Sequence, residues 1–143
     1  MDTRSFQQRI VQTRKSLFEQ GYIDEQFVQL EELQDDENPN FVAEIVTSYY
    51  SDSARLIQKI DHALTRHPLD FDLLDDHMHQ FKGSSSSIGA KKVVQECTHF
   101  RDRCAAGNVD GCMKSFQIIK QEHSVLRNKL EAYFQLMTST EGY

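Results

Sequence analysis

Two prolines and six glycines in 143 residues leave the chain without the dense turn punctuation of an all-β protein. No apolar run approaches the roughly 20 residues that cross a bilayer, so no membrane association is expected. The opening Met1-Asp2-Thr3-Arg4-Ser5-Phe6 has neither an apolar core nor a small-residue cleavage site, and a reducing, intracellular setting fits better than secretion. Cysteine is scarce as well. Cys97, Cys104 and Cys112 are odd in number and lack the paired spacing of a zinc site or a disulfide framework; Cys97 and Cys104 fall on an apolar helical stripe and read as small core residues. Basic charge is in deficit: the formal net charge is −6 and Asp35-Asp36-Glu37 is a solid acidic cluster. Nucleic acid, whose phosphates demand a basic face, is excluded as a partner, and a protein partner is expected.

What is present is helical periodicity over the length of one domain. Phe6, Ile10 and Leu17 have helical spacing up to Gly21, and Asp24 can cap a short helix bearing Phe27, Leu30 and Leu33. Asn38 followed by Pro39 reads as a cap with proline at the first helical position, opening a helix with Phe41, Ile45, Tyr49, Leu56 and Ile60 on one side and running to about Thr65. Asp70 starts a helix whose stripe is Leu74, Met78, Phe81, Ser85 and Ile88, stopping at Gly89. Ala90, Val93, Cys97, Phe100 and Cys104 repeat that alternation to Gly107, and a last helix runs from near Asp110 through Phe116, Ile119, His123, Leu126, Leu130, Tyr133 and Met137. Short connections force successive helices antiparallel. The expected fold is all-α: an antiparallel up-and-down four-helix bundle over residues 38–137, two additional N-terminal helices within 1–37, and a frayed tail from Thr138 to Tyr143.

The segment His79-Gln80-Phe81-Lys82-Gly83-Ser84-Ser85-Ser86-Ser87-Ile88-Gly89-Ala90 breaks local helical preference. A glycine inside a helix costs about 1 kcal/mol relative to alanine and each serine about half that. A flexible linker after Lys82 would account for the composition, yet Phe81, Ser85 and Ile88 keep the apolar stripe in phase, which a linker has no reason to do. A phosphate-binding nucleotide loop fails on spacing, because Ala90 intervenes before Lys91, Lys92 follows where Ser or Thr is required, and no strand precedes. In a continuous helix His79, Lys82, Gly83 and Ser86 stand at i, i+3, i+4 and i+7 and share one face. An imidazole with its ordinary pKa near 6.5 is about nine-tenths neutral at pH 7.4, so it is a nucleophile without a separate base. Lys82 can set an ammonium against phosphoryl oxygens, and Gly83 removes the side chain beneath the ring so that another protein can approach.

These twelve residues closely resemble the signature of plant histidine-containing phosphotransfer proteins, and the order of helices matches from about Ser5 to Met137. Phe81 stands where leucine is more usual, and that apolar exchange leaves the chemistry alone. Some plant relatives carry asparagine at the phosphoacceptor position and cannot take up phosphate; this chain has the histidine. The resemblance implies a multistep phosphorelay in which the receiver aspartate of a hybrid sensor kinase phosphorylates His79, which passes the group to a response regulator. It implies cytokinin signalling, a carrier found in both cytoplasm and nucleus, and receiver domains that supply the aspartate and the Mg²⁺, so that the chain needs no cofactor of its own. A monomer with no kinase activity is expected, docking through exposed apolar residues such as Phe27 and Leu30.

Gln80, about a hundred degrees from His79 on a helix, is a secondary candidate for orienting the ring or a phosphoryl oxygen, and Ser86 a docking candidate. His77 and His79 point too far apart to pair on a metal, His123 reads as a partly buried hydrogen-bonded residue, and His62, His67 and His99 as surface residues. Small size for close packing is the preferred reading of Ser84 to Ser87. The competing functions are a non-phosphorylated adaptor that docks on receivers and, more remotely, an autonomous kinase, for which no nucleotide pocket is recognisable.

Overall fold

The structure, a computed structural model, describes residues 3–141. Six helices follow in order: α1 (Thr3–Glu19), α2 (Glu25–Leu33), α3 (Phe41–Ala63), α4 (Phe71–Ser87), α5 (Lys91–Ala105) and α6 (Val109–Glu141). Among the described residues there is no strand, only an isolated bridge between Asp35 and Asn38. Helices α3 to α6 form the expected bundle, α1 lies on α6, and α2 packs against α3 and α4.

The stripes anticipated for α4 and α5 form the middle of the core. Leu74, Met78, Phe81, Ser85 and Ile88 are all buried, and so are Ala90, Val93, Cys97, Phe100 and Cys104. On α6 the buried line runs through Phe116, Ile119, His123, Leu126, Leu130 and Tyr133. On α3 the expected Tyr49 and Ile60 are buried, but the rest of the line is shifted: Val42, Val46, Tyr50 and Ser53 are buried, whereas Phe41, Ile45 and Leu56 are half-buried at its edge.

Length explains the N-terminal helices. With 33 residues α6 is about 50 Å long at 1.5 Å per residue, twice the roughly 25 Å of the 17-residue α4. The overhang has an apolar side that the bundle cannot reach, and α1 covers part of it with Leu17, which is buried, and Ile10, which is half-buried. The stretch expected to fray is instead helical through Glu141; Gly142 and Tyr143 lie outside the described residues, as do Met1 and Asp2.

The start of α3 also differs from expectation. Asn38 does not cap it. The Asp35 carboxylate accepts from the backbone N–H groups of Glu37 (3.1 Å) and Asn38 (3.0 Å), drawing residues 35–38 into a turn, and the helix begins at Phe41. One of its unpaired N–H groups, that of Val42, donates to the side chain of Gln34 at 3.1 Å, so the cap comes from the end of α2. Leu33 is 64% exposed, not part of a stripe with Phe27. Two steps of three residues leave it about 120° from Phe27 around the helix.

Gly89 fastens the α4–α5 corner to α2. Its φ of +72° is left-handed, and the N–H groups of Gly89 and Ala90 bond back to the carbonyls of Ser86 and Ser85, closing α4. A Cβ at this position would lie 2.5 Å from the Asp24 carboxylate and 2.6 Å from the Phe27 nitrogen. The missing side chain lets the Asp24 N–H donate to the Gly89 carbonyl at 3.1 Å while the Asp24 carboxylate caps α2 through Gln26 N–H.

Candidate functional site

Helix α4 runs unbroken through Lys82-Gly83-Ser84-Ser85-Ser86-Ser87, so the linker reading fails. Side-chain bonds, both tertiary and local, offset the poor propensity of this stretch. Ser85 faces inward, wholly buried, with its hydroxyl 2.7 Å from that of Tyr49 on α3. Ser87 donates to the Ser84 carbonyl at 2.6 Å, and the Ser87 carbonyl accepts from the Gln26 amide at 3.4 Å. Only a residue as small as serine at position 85 leaves space for a tyrosine ring to sit over the helix.

Met78 and Phe81 pin the inner side of α4, which turns His79 and Gln80 outward, and both are exposed. Lys82 is half-buried one turn along; Gly83 and Ser86 are exposed. The face anticipated from spacing is therefore assembled. A Cβ built on Gly83 meets nothing within 4 Å, so nothing inside this protein requires glycine there.

Not every anticipated residue belongs to this face. Phe27 is wholly buried, its ring centroid 6.5 Å from that of Tyr133, so it is core and offers no exposed docking surface. The cause is the Gly89 contact, which draws the start of α2 onto the bundle. Leu30 is half-buried against the same core. His123 is buried, with Nε2 2.7 Å from the Ser53 hydroxyl, and burial pushes its pKa down to about 4. His77 is half-buried and His99 is exposed, 3.0 Å from Glu96. Cys112 is buried 3.7 Å from Cys104, and burial raises the pKa of both thiols. Among the described residues no group of His, Cys, Asp or Glu is arranged to hold a metal ion.

Arg101 and Asp75 complete the site, and sequence spacing did not find them. From α5 the Arg101 guanidinium grips the Asp75 carboxylate with two bonds, Nε to Oδ1 at 2.9 Å and Nη2 to Oδ2 at 3.3 Å. Its Nη1 stands 3.2 Å from His79 Nδ1. Guanidinium has only donors, so in this contact Nδ1 is the acceptor and the proton of a neutral ring sits on Nε2, the nitrogen turned away from Arg101, which must give that proton up when it forms a bond to phosphorus. The Arg101 bond holds the Asp75 carboxyl below the usual carboxylate range. The available signal was the i, i+4 spacing of Asp75 and His79; the arginine enters only through the packing of α5 on α4. Together with Lys82, Arg101 lines an open cleft between the two helices, shared with Phe71, Asp75 and Thr98.

A family model for the Hpt domain matches residues 44–134. The chain belongs to the Hpt family. Histidine-containing phosphotransfer protein 4 of Arabidopsis thaliana is 65% identical to this Hpt protein over 116 residues, covering 81% of the chain and 91% of the relative. Pseudo histidine-containing phosphotransfer protein 5 of Oryza sativa subsp. japonica is 50% identical over 137 residues, covering 96% and 90%. The crystal structure of histidine-containing phosphotransfer protein MtHPt2 from Medicago truncatula superposes with a TM-score of 0.90 at 39% identity, covering 96% of this chain and 93% of that one. Membership places this Hpt protein in two-component phosphorelay signalling as a phosphotransfer protein. One of these relatives bears the name of a pseudo histidine-containing phosphotransfer protein, and position 79 of this chain is histidine.

Proposed function

We propose that His79 accepts a phosphoryl group from the receiver aspartate of a hybrid sensor kinase and passes it to the receiver of a response regulator. The supporting observation is the exposed ring of His79 above Gly83, where empty space stands in place of a side chain. Chemistry of this kind requires little from the carrier. An in-line displacement at phosphorus needs a nucleophilic nitrogen brought to about 3 Å from the phosphorus and positive charge near the equatorial oxygens. His79 is the nitrogen, and Lys82, one turn further along α4, is the cation for the oxygens. The receiver contributes the carboxylate and the Mg²⁺, so the carrier has neither a kinase activity nor a cofactor of its own.

Gln80 and Ser86, both exposed on α4, extend the docking face around His79. On this proposal the protein acts as a monomer in the cytoplasm and nucleus, in cytokinin signalling. The test is incubation with a phosphorylated receiver and Mg²⁺. Transfer of an acid-labile, alkali-stable label that disappears in His79→Gln is expected; label that persists in that variant refutes the site. Lys82→Ala is expected to slow transfer while its thermal unfolding stays within about 0.5 kcal/mol of the parent, because a partly exposed cation contributes little to stability. Equal transfer rates for the two proteins would remove Lys82 from the mechanism.

A further inference from the structure

The geometry points to Arg101, tethered by Asp75, as a cap on His79 Nδ1 that keeps the phosphorylated ring from losing its phosphoryl group to water. This rests on the reading of His79 as the phosphoacceptor. Arg101 is not needed to explain how the ring is exposed or how a receiver docks, yet it is the residue whose charged group touches the imidazole, at 3.2 Å. Its orientation is imposed from behind: two bonds to Asp75, at 2.9 and 3.3 Å, fix the plane of the guanidinium so that Nη1 faces the ring.

The chemistry gives that contact a consequence. With the phosphoryl group on Nε2, hydrolysis forms a bond from a water oxygen to phosphorus and breaks the Nε2–P bond. The electron pair of the broken bond returns to the ring, and the products are histidine and orthophosphate. The ring departs readily only when Nδ1 has first taken a proton, since it then leaves as neutral imidazole and not as an anion. A guanidinium N–H donated to Nδ1 occupies the lone pair that this proton needs, and its positive charge opposes a second cation in the same place. The groups acting on the guanidinium are Asp75 from α4 and Asp102 and Cys104 from α5, with Asp72 and Lys82 of α4 along the same cleft. Asp75, held acidic by the guanidinium itself, keeps its charge throughout the neutral range and so keeps the cap in place.

The same arrangement makes the cap removable. Arg101 is only partly buried, and an anionic receiver site arriving at His79 competes with Nδ1 for its N–H groups. Withdrawing it frees Nδ1 for protonation at the moment when release of the phosphoryl group is wanted. Arg101 is thus a positioning residue for the stored state, distinct in role from Lys82.

The experiment labels the full chain at His79 with phosphoramidate, removes the donor, and follows decay of acid-labile label from neutral to alkaline pH, without any receiver. Arg101→Ala is expected to shorten the lifetime about three- to tenfold, the scale of a charge-assisted contact at a partly exposed site, and to carry acid-accelerated decay to higher pH. Asp75→Asn, which leaves Arg101 in place but loosens its anchor, is expected to move both readouts in the same direction and by less. Identical lifetimes and pH profiles in the parent and both variants overturn the inference while leaving His79 as the phosphoacceptor. Failure of the parent to take label at His79 overturns the phosphoacceptor reading and this inference with it.

Discussion

Replacing Gly83 with alanine is expected to make the protein more stable and a poorer partner. Glycine in an exposed helix interior is about 0.8–1 kcal/mol less favourable than alanine, through the backbone freedom it surrenders on folding. At position 83 that gain is undiminished by collision, because the added Cβ has no neighbour within 4 Å and the residue lies inside the regular span of α4. For a chain of this length a gain near 1 kcal/mol corresponds to a rise of about 3–4 °C in Tm. Thermal and urea unfolding followed by circular dichroism read the stability, and single-turnover transfer from a phosphorylated receiver reads the function. Transfer is expected to fall for Gly83→Ala and to fall further for Gly83→Glu, which adds bulk and a negative charge where an anionic phosphoryl group must pass. A lower Tm for Gly83→Ala would show that the Cβ meets something and that the glycine is structural. Parent-like transfer by Gly83→Glu would show that no partner approaches over this position.

Gly89→Ala is the opposite case: a left-handed φ and contacts of 2.5 and 2.6 Å with α2 predict a loss of about 3 kcal/mol or more, read as a lower urea midpoint, and a loss below 1 kcal/mol would contradict the described corner. Ser85→Ala strands the buried Tyr49 hydroxyl and is expected to cost about 1–3 kcal/mol, while the double variant with Tyr49→Phe recovers much of it; additive losses in the cycle would deny the bond between them. The buried His123, with its pKa depressed to about 4, takes up a proton in the unfolded chain before it does in the folded one. Stability is therefore full above the ordinary histidine pKa and falls as pH drops from about 6.5 towards 4, by as much as about 3 kcal/mol. Urea unfolding at intervals across that window measures the slope, and a flat profile would contradict it.

Helical periodicity carried most of the fold, because α4 and α5 are each covered by neighbours on one side and a narrow stripe suffices to describe them. It misled where an element's environment is set by distant residues. Phe27 and Leu33 sit on the same short helix, and nothing local says that the first is drawn under Gly89 while the second points to water. Asn38-Pro39 has the composition of a helix start, but Asp35 bends the preceding chain and Gln34 reaches over to take the cap. At the site, His79, Lys82, Gly83 and Ser86 share a helix and were legible as a set. Arg101 is a long side chain whose target is decided by the register of α5 against α4, and residue spacing within one helix contains no record of that register.

The corner at Gly89 also bears on where this domain can be cut. The span shared with the family, residues 44–134, begins after α2, although the first turn of that helix is bonded to the backbone just beyond the serines of α4. A fragment trimmed to those limits would strip Phe27 from the side of Tyr133 and leave the Gly89 carbonyl facing water. The rod that presents the imidazole would then be free to unwind from its far end, so an N-terminal deletion would reach the reactive face without touching a single residue on it.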